Sequence, residues 1–183
     1  MCNEAVKTPL IVALTFAAAA AVSCVRVEAD VPEAEVTQKA VDFQGIPGGS
    51  QAGEVSTTQT FTLSADNLSW AKDLNAEVFA TEVKFSAVGD VQDLSFIHYA
   101  HITMSDATED STTPPVEIVS YERPVDAEAS SVLDAKTTCP IEVTQVWAAK
   151  KVIITMNLAG LFPEETWFAD VTLYLSGKIT YKY

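Results

Sequence analysis

From residue 41 onward, apolar and polar side chains alternate with a period of two. Val41 and Phe43 flank Asp42, and Phe61 and Leu63 alternate with Thr60, Thr62 and Ser64. Phe79, Thr81, Val83, Phe85 and Ala87 make one face of a longer segment whose other face holds Glu82, Lys84 and Ser86. A helix would need apolar positions three and four apart, so each segment predicts a strand with one wet face, as in an antiparallel sheet. The longest case is C-terminal. Trp167, Ala169, Val171, Leu173, Leu175, Gly177, Ile179 and Tyr181 share one parity, and Asp170, Thr172, Tyr174, Ser176, Lys178, Thr180 and Lys182 the other. Val152, Ile154, Met156 and Leu158 predict a strand just before it. Pro163, Glu164 and Glu165 then supply a loop, so the two strands read as a hairpin.

Shorter strands fit residues 100–105, 116–121 and 131–135, each bounded by Pro, Asp or Ser. The pattern predicts an all-β fold, an antiparallel β-sandwich of the immunoglobulin-like kind with about seven strands. Two stretches have helix-compatible spacing: 66–74, with Leu68, Trp70 and Leu74, and 141–149, with Val143, Val146 and Trp147. They predict short helical turns in the connections.

The apolar residues before this region are of another kind. Residues 10–22 form an uncharged run with five consecutive alanines. As a helix it would cover about 20 Å, short of a hydrocarbon core of about 30 Å. That length suits the apolar core of a secretory signal peptide, although Lys7 is the only basic residue ahead of it. The run ends in Ala21-Val22-Ser23-Cys24, which resembles the lipobox of bacterial lipoproteins, with Ala21 where Leu is usual. The resemblance implies cleavage after Ser23, a lipidated Cys24 as first mature residue, and a membrane reached through that anchor. Val25, rather than Asp, after the cysteine implies the outer membrane or cell surface. Two other readings stay open: ordinary cleavage with Cys24 a bystander, or a buried helix of a cytosolic protein. Residues 25–38 carry Glu28, Asp30, Glu33, Glu35 and Pro32 without helical periodicity, and read as an acidic tether. The expected organisation is therefore a signal peptide at 1–23, lipidated Cys24 and tether at 24–38, and one sandwich domain at 39–183.

Composition then narrows function. Of 183 residues, 11 are Lys or Arg and 25 are Asp or Glu, a net charge of −14 that would repel nucleic acid. Loss of residues 1–23 removes Lys7 and Glu4 together, so the charge belongs to the mature chain. Cys139, with no His or Cys near it in sequence, reads as a buried free thiol. His98 and His101 look like a metal pair, but residues three apart on a strand point to opposite faces. The oxygen-rich loop 105–111 would suit calcium, yet it lacks the spacing of an EF-hand. No nucleophile elbow, zinc-protease motif or phosphate-binding glycine loop is present, so no catalytic residue, cofactor or metal is expected.

Among the aromatics Trp70, Trp147, Trp167, Phe162 and Phe168, together with Tyr174, the candidates for a partner surface are Phe168, Tyr174, Trp70 and Trp147. The parity of the last strand puts Phe168 and Tyr174 on its polar side. The expected function is a non-catalytic envelope lipoprotein binding a protein or glycan partner. The alternative is a secreted carbohydrate-binding module or hydrolase on the same scaffold.

Overall fold

The computed structural model describes residues 26–64, 76–108, 110–147 and 151–182. Eight strands run in the order β1 (Arg26–Phe43), β2 (Val55–Ser64), β3 (Ala76–Val88), β4 (Ile97–Asp106), β5 (Val116–Glu122), β6 (Val132–Glu142), β7 (Lys151–Gly160) and β8 (Trp167–Lys182). They form two four-stranded antiparallel sheets, with order β1-β8-β3-β6 in sheet A and β2-β7-β4-β5 in sheet B. The pairs β1–β8, β2–β7, β3–β6 and β4–β5 make the topology plain. The chain is one long antiparallel ribbon, doubled at the β4–β5 turn and wrapped so that its two sides close on each other. That is the jelly roll, an eight-stranded form of the expected sandwich. The fold is therefore all-β and sandwich-like as the alternation predicts, with eight strands in jelly-roll rather than immunoglobulin order. The short helical turns are present as α1 (Thr144–Trp147) and the 3-10 turn Gly49–Ala52, while 66–74 lies outside the described residues.

β8 delivers its apolar parity to the interior from Trp167 to Leu175. Trp167, Ala169, Val171, Leu173 and Leu175 are buried, facing Leu63, Ile102, Met104, Ile154, Met156 and others from sheet B in one core. At one end the Trp167 ring stacks on Phe43 at 4.0 Å and meets Phe96 edge-on at 5.0 Å. Each such buried aromatic contributes far more than a methyl-sized residue could, because it removes a large apolar area from water. Close approach also selects Gly160, where β4 crosses β7. A Cβ there would overlap the Phe96 carbonyl oxygen.

Four expectations are corrected. Residues 26–38 are not a tether but most of β1, hydrogen-bonded along β8. Two bulges hide the alternation, because one extra residue enters between Val31 and Ala34 and another between Gln38 and Val41. Pro32, which has no N–H for a ladder, sits in the first. Its acids face solvent, and Glu28 pairs with Lys178 at 2.6 Å.

Second, β7 and β8 are not a hairpin. β7 pairs with β2 and β4, β8 with β1 and β3, and residues 161–166 carry the chain from one sheet to the other with Phe162 buried on the way. Local periodicity cannot tell which sheet a strand joins.

Third, the Phe79-to-Ala87 face breaks at Thr81, a bulged residue between Ala80 and Glu82. Val78 and Ala80 point inward before it and Val83 and Phe85 after it, which leaves Phe79 on the outer face beside Ser176.

Fourth, Cys139 is half-buried on β6 and disulfide-bonded rather than a buried free thiol. The other two cysteines, Cys2 and Cys24, lie outside the described residues.

Candidate functional site

The expected partner surface does not assemble. Trp147 is 3% exposed, because α1 turns Val146 and Trp147 into the core while Val143 N–H donates to the Val78 carbonyl. Phe162 and Trp167 are likewise buried. Trp70 and the lipidation candidate Cys24 lie outside the described residues. Phe168 is exposed and Tyr174 half-buried, both on the outer face of sheet A, where parity places them. They are six residues apart, roughly 20 Å along one strand, so they do not form one contact patch.

The histidines part company as well. His98 lies 3.9 Å from Glu54, and His101 Nε2 lies 3.0 Å from Glu117. Each faces its own carboxylate across a different part of sheet B.

Three carboxylates are held below the ordinary aspartate range, each by a local structural role. Asp93 accepts from the Ser95 hydroxyl and from the backbone N–H groups of Ser95 and Ser130, so it ties two loops together. Asp106 is held by the Thr108 hydroxyl at 2.6 Å and backbone N–H at 2.8 Å, which turns it onto its own loop. Asp170 accepts from Lys39 Nζ at 2.7 Å and from Ala40 N–H at 2.9 Å. Ala40 has a φ of 48°, so Asp170 pins the strained second bulge of β1.

Concave surface lies elsewhere. A depression of about 310 Å³ follows the side of the sandwich between β5 and β6, lined by residues such as Ile118, Val119, Thr137 and Ile141. Another of about 220 Å³ lies between Pro114 and Thr144. The first borders the disulfide-bonded Cys139 through Thr138, and the second borders Val146, close before residues 148–150, which lie outside the described set.

The third, of about 290 Å³, lies on the outer face of sheet B and draws side chains from all four strands: Ser56 of β2, Tyr99 and His101 of β4, Ser120 and Glu122 of β5, and Asn157 of β7. The register explains the gathering. Tyr99 lies opposite both Ala159 and Glu122, and His101 opposite both Asn157 and Ser120, so two cross-strand rows meet at one place. Thr58 Oγ1 donates to Asn157 Oδ1 at 2.8 Å, which fixes the amide. Tyr99 is 45% exposed, an unusual position for a large ring on a strand. The arrangement offers one flat aromatic surface ringed by hydroxyl, amide, imidazole and carboxylate groups, held on a rigid sheet. It can bind, and its polar groups include no lysine or arginine.

The sequence holds part of this signal. Ala100, Ile102 and Met104 alternate inward, which sends His101 and Thr103 out. Tyr99 was missed because an irregularity between Ile97 and Tyr99 interrupts the parity, and because nothing local says that β5 and β7 flank β4.

No family model matches the chain, and no curated protein matches it. Among solved structures the chain is similar to the decameric BFDV capsid protein, at 12% identity over 84% of this chain and 98% of that one, with a TM-score of 0.37. A likeness that loose bears on neither the function nor the partners of this chain.

Proposed function

We propose that the protein is an exported, non-catalytic binding protein of the cell envelope. The observation that supports the reading most is the disulfide at Cys139, a bond that forms and persists in oxidising compartments. Every described strand also lies beyond Cys24, with Arg26 in register with Lys182. The apolar run 10–22, ending at Ser23-Cys24, then serves as a leader rather than as core.

With residues 26–38 built into β1, Cys24 and the domain are almost contiguous. One end of the sandwich carries Arg26 beside Lys182. The other end, where β1 finishes beside Trp167, stands roughly 50 Å away along β8. Tyr99, opposite Ala159 near the end of β7, is carried on that half. Binding rather than catalysis is favoured by the side chains themselves. The two histidines are engaged by separate glutamates, and the carboxylates with lowered pKa serve loops and a bulge.

In fractionated cells the protein is expected outside the cytoplasm, with Cys139 closed to thiol reagents until a reductant is added. A cytoplasmic protein, or a Cys139 that labels without reductant, would overturn the reading.

A further inference from the structure

The geometry points to a binding site for a neutral carbohydrate on the outer face of sheet B, with Tyr99 as its stacking surface. This names a ligand for the binding protein proposed above, and it does not depend on export.

Sugar rings present two chemistries at once, a patch of C–H groups on a ring face and a fringe of hydroxyls that both donate and accept. A site for them needs a flat apolar surface beside polar groups of both kinds. Tyr99 supplies the surface. Four exposed large apolar side chains occur among the described residues, Tyr99, Val125, Leu161 and Phe168, and of these Tyr99 lines a depression. Ser56 and Ser120 can donate or accept, and Glu122 accepts. Asn157 already receives the Thr58 hydroxyl on Oδ1, so its NH2 group is left to donate. His101 is bound through Nε2 to Glu117 and keeps Nδ1 for a second partner.

Charge selects among sugars and against other ligands. β2 has no charged residue, and β7 has Lys151 alone, at the end of the strand remote from Tyr99. Glu122 lines the depression and Glu117 pairs with the lining residue His101, on a molecule of net charge −14. A phosphate, sulfate or uronate would meet repulsion and find no cation. An apolar peptide would find a single exposed ring among hydroxyls. A neutral glycan fits both features.

The volume, about 290 Å³, falls just below the range of roughly 300–1,000 Å³ usual for small-ligand sites, which suits one or two sugar rings. Because the lining side chains stand on paired strands rather than on a loop, little ordering is needed when the ligand arrives.

The test is an array of neutral, sialylated, sulfated and uronate-containing glycans probed with the purified protein, followed by calorimetric titration with the strongest neutral binder. Neutral glycans are expected to bind, with affinity falling about tenfold or more in Tyr99→Ala, several-fold in Asn157→Ala, and little in Tyr99→Phe. Phe168→Ala, on the other sheet, is expected to bind as the unaltered protein does. Circular dichroism confirms that each variant is folded. An array silent for neutral glycans, hits confined to anionic glycans, or affinity that survives Tyr99→Ala in the folded variant would each overturn the site. None of these results bears on where the protein is found in fractionated cells, so export stands or falls separately.

Discussion

The two outer faces of the sandwich are built on the same core by the same alternation, yet they carry different chemistry. Sheet A is a charged face. Lys39–Asp170, Lys84–Asp134, Lys136–Glu82 and Lys178–Glu28 all bridge its neighbouring strands, at 2.7 to 3.9 Å for the first three and 2.6 Å for the last. Sheet B is a hydroxyl face, with Ser56, Thr58, Thr60 and Thr62 exposed along β2 and Thr103, Thr155 and Asn157 beside them. Its ion pairs among the described residues are the two histidine–glutamate contacts. A single net charge of −14 hides this division. Sheet A holds ten carboxylates against six Lys or Arg and sheet B three against one, with the rest of the net charge in the connections, so the second face is the one left to recognise something uncharged.

The largest test of the comparison removes what the faces share. Trp167→Ala deletes the ring stacked on Phe43 at 4.0 Å and should lower unfolding free energy by about 3–5 kcal/mol in urea titrations. Phe168→Ser, one residue on but of opposite parity and 41% exposed, should change it by less than about 1 kcal/mol. Equal losses would mean that β8 does not present one parity to the core.

Asp170→Asn breaks sheet A alone. Its carboxylate holds Lys39 and the Ala40 N–H at the bulge, so about 1 kcal/mol should be lost at neutral pH. The sign of the pH effect follows from its lowered pKa. The contribution is complete above the ordinary aspartate value of 3.8 and is lost as pH falls through the lower folded value. Asp170→Asn should therefore make stability less steep below about pH 4, measured by thermal unfolding across pH. An identical acid profile in the variant would remove Asp170 from the account.

Thr58→Lys breaks the other face by placing a cation in the neutral row and removing the hydroxyl that orients Asn157. Stability should move by less than about 0.5 kcal/mol, as for an exposed strand position, while binding of neutral glycans weakens several-fold. The smallest effect belongs to the exposed pair Lys136–Glu82. Lys136→Met should cost at most about 0.5 kcal/mol, because such pairs repay little of the entropy of holding long side chains.

What the sequence made legible follows the regularity of its ladders. β8 keeps one register along its length on β1 except where β1 itself bulges, and its parity predicts both the buried Trp167 and the exposed Phe168. β1 and β3 are interrupted by bulges, so the same reading turned β1 into a tether and put Phe79 on the inner face. The apparent hairpin of β7 and β8 failed for a different reason. Alternation fixes which side of a strand is buried, not which sheet it enters, and the jelly-roll pairing is set by contacts between distant strands. The Tyr99 depression belongs to that second class. Its lining residues come from four strands that are neighbours only in space, so no spacing within the chain could have gathered them.

The claim that the neutral face is the binding face has one direct measurement, backbone amide chemical-shift mapping of the protein with the strongest neutral glycan from the array. The account predicts perturbations clustered at Ser56, Tyr99, His101, Ser120, Glu122 and Asn157, with the amides around Phe168 and Tyr174 unmoved. Shifts centred on β8 and β3, with sheet B silent, would contradict it.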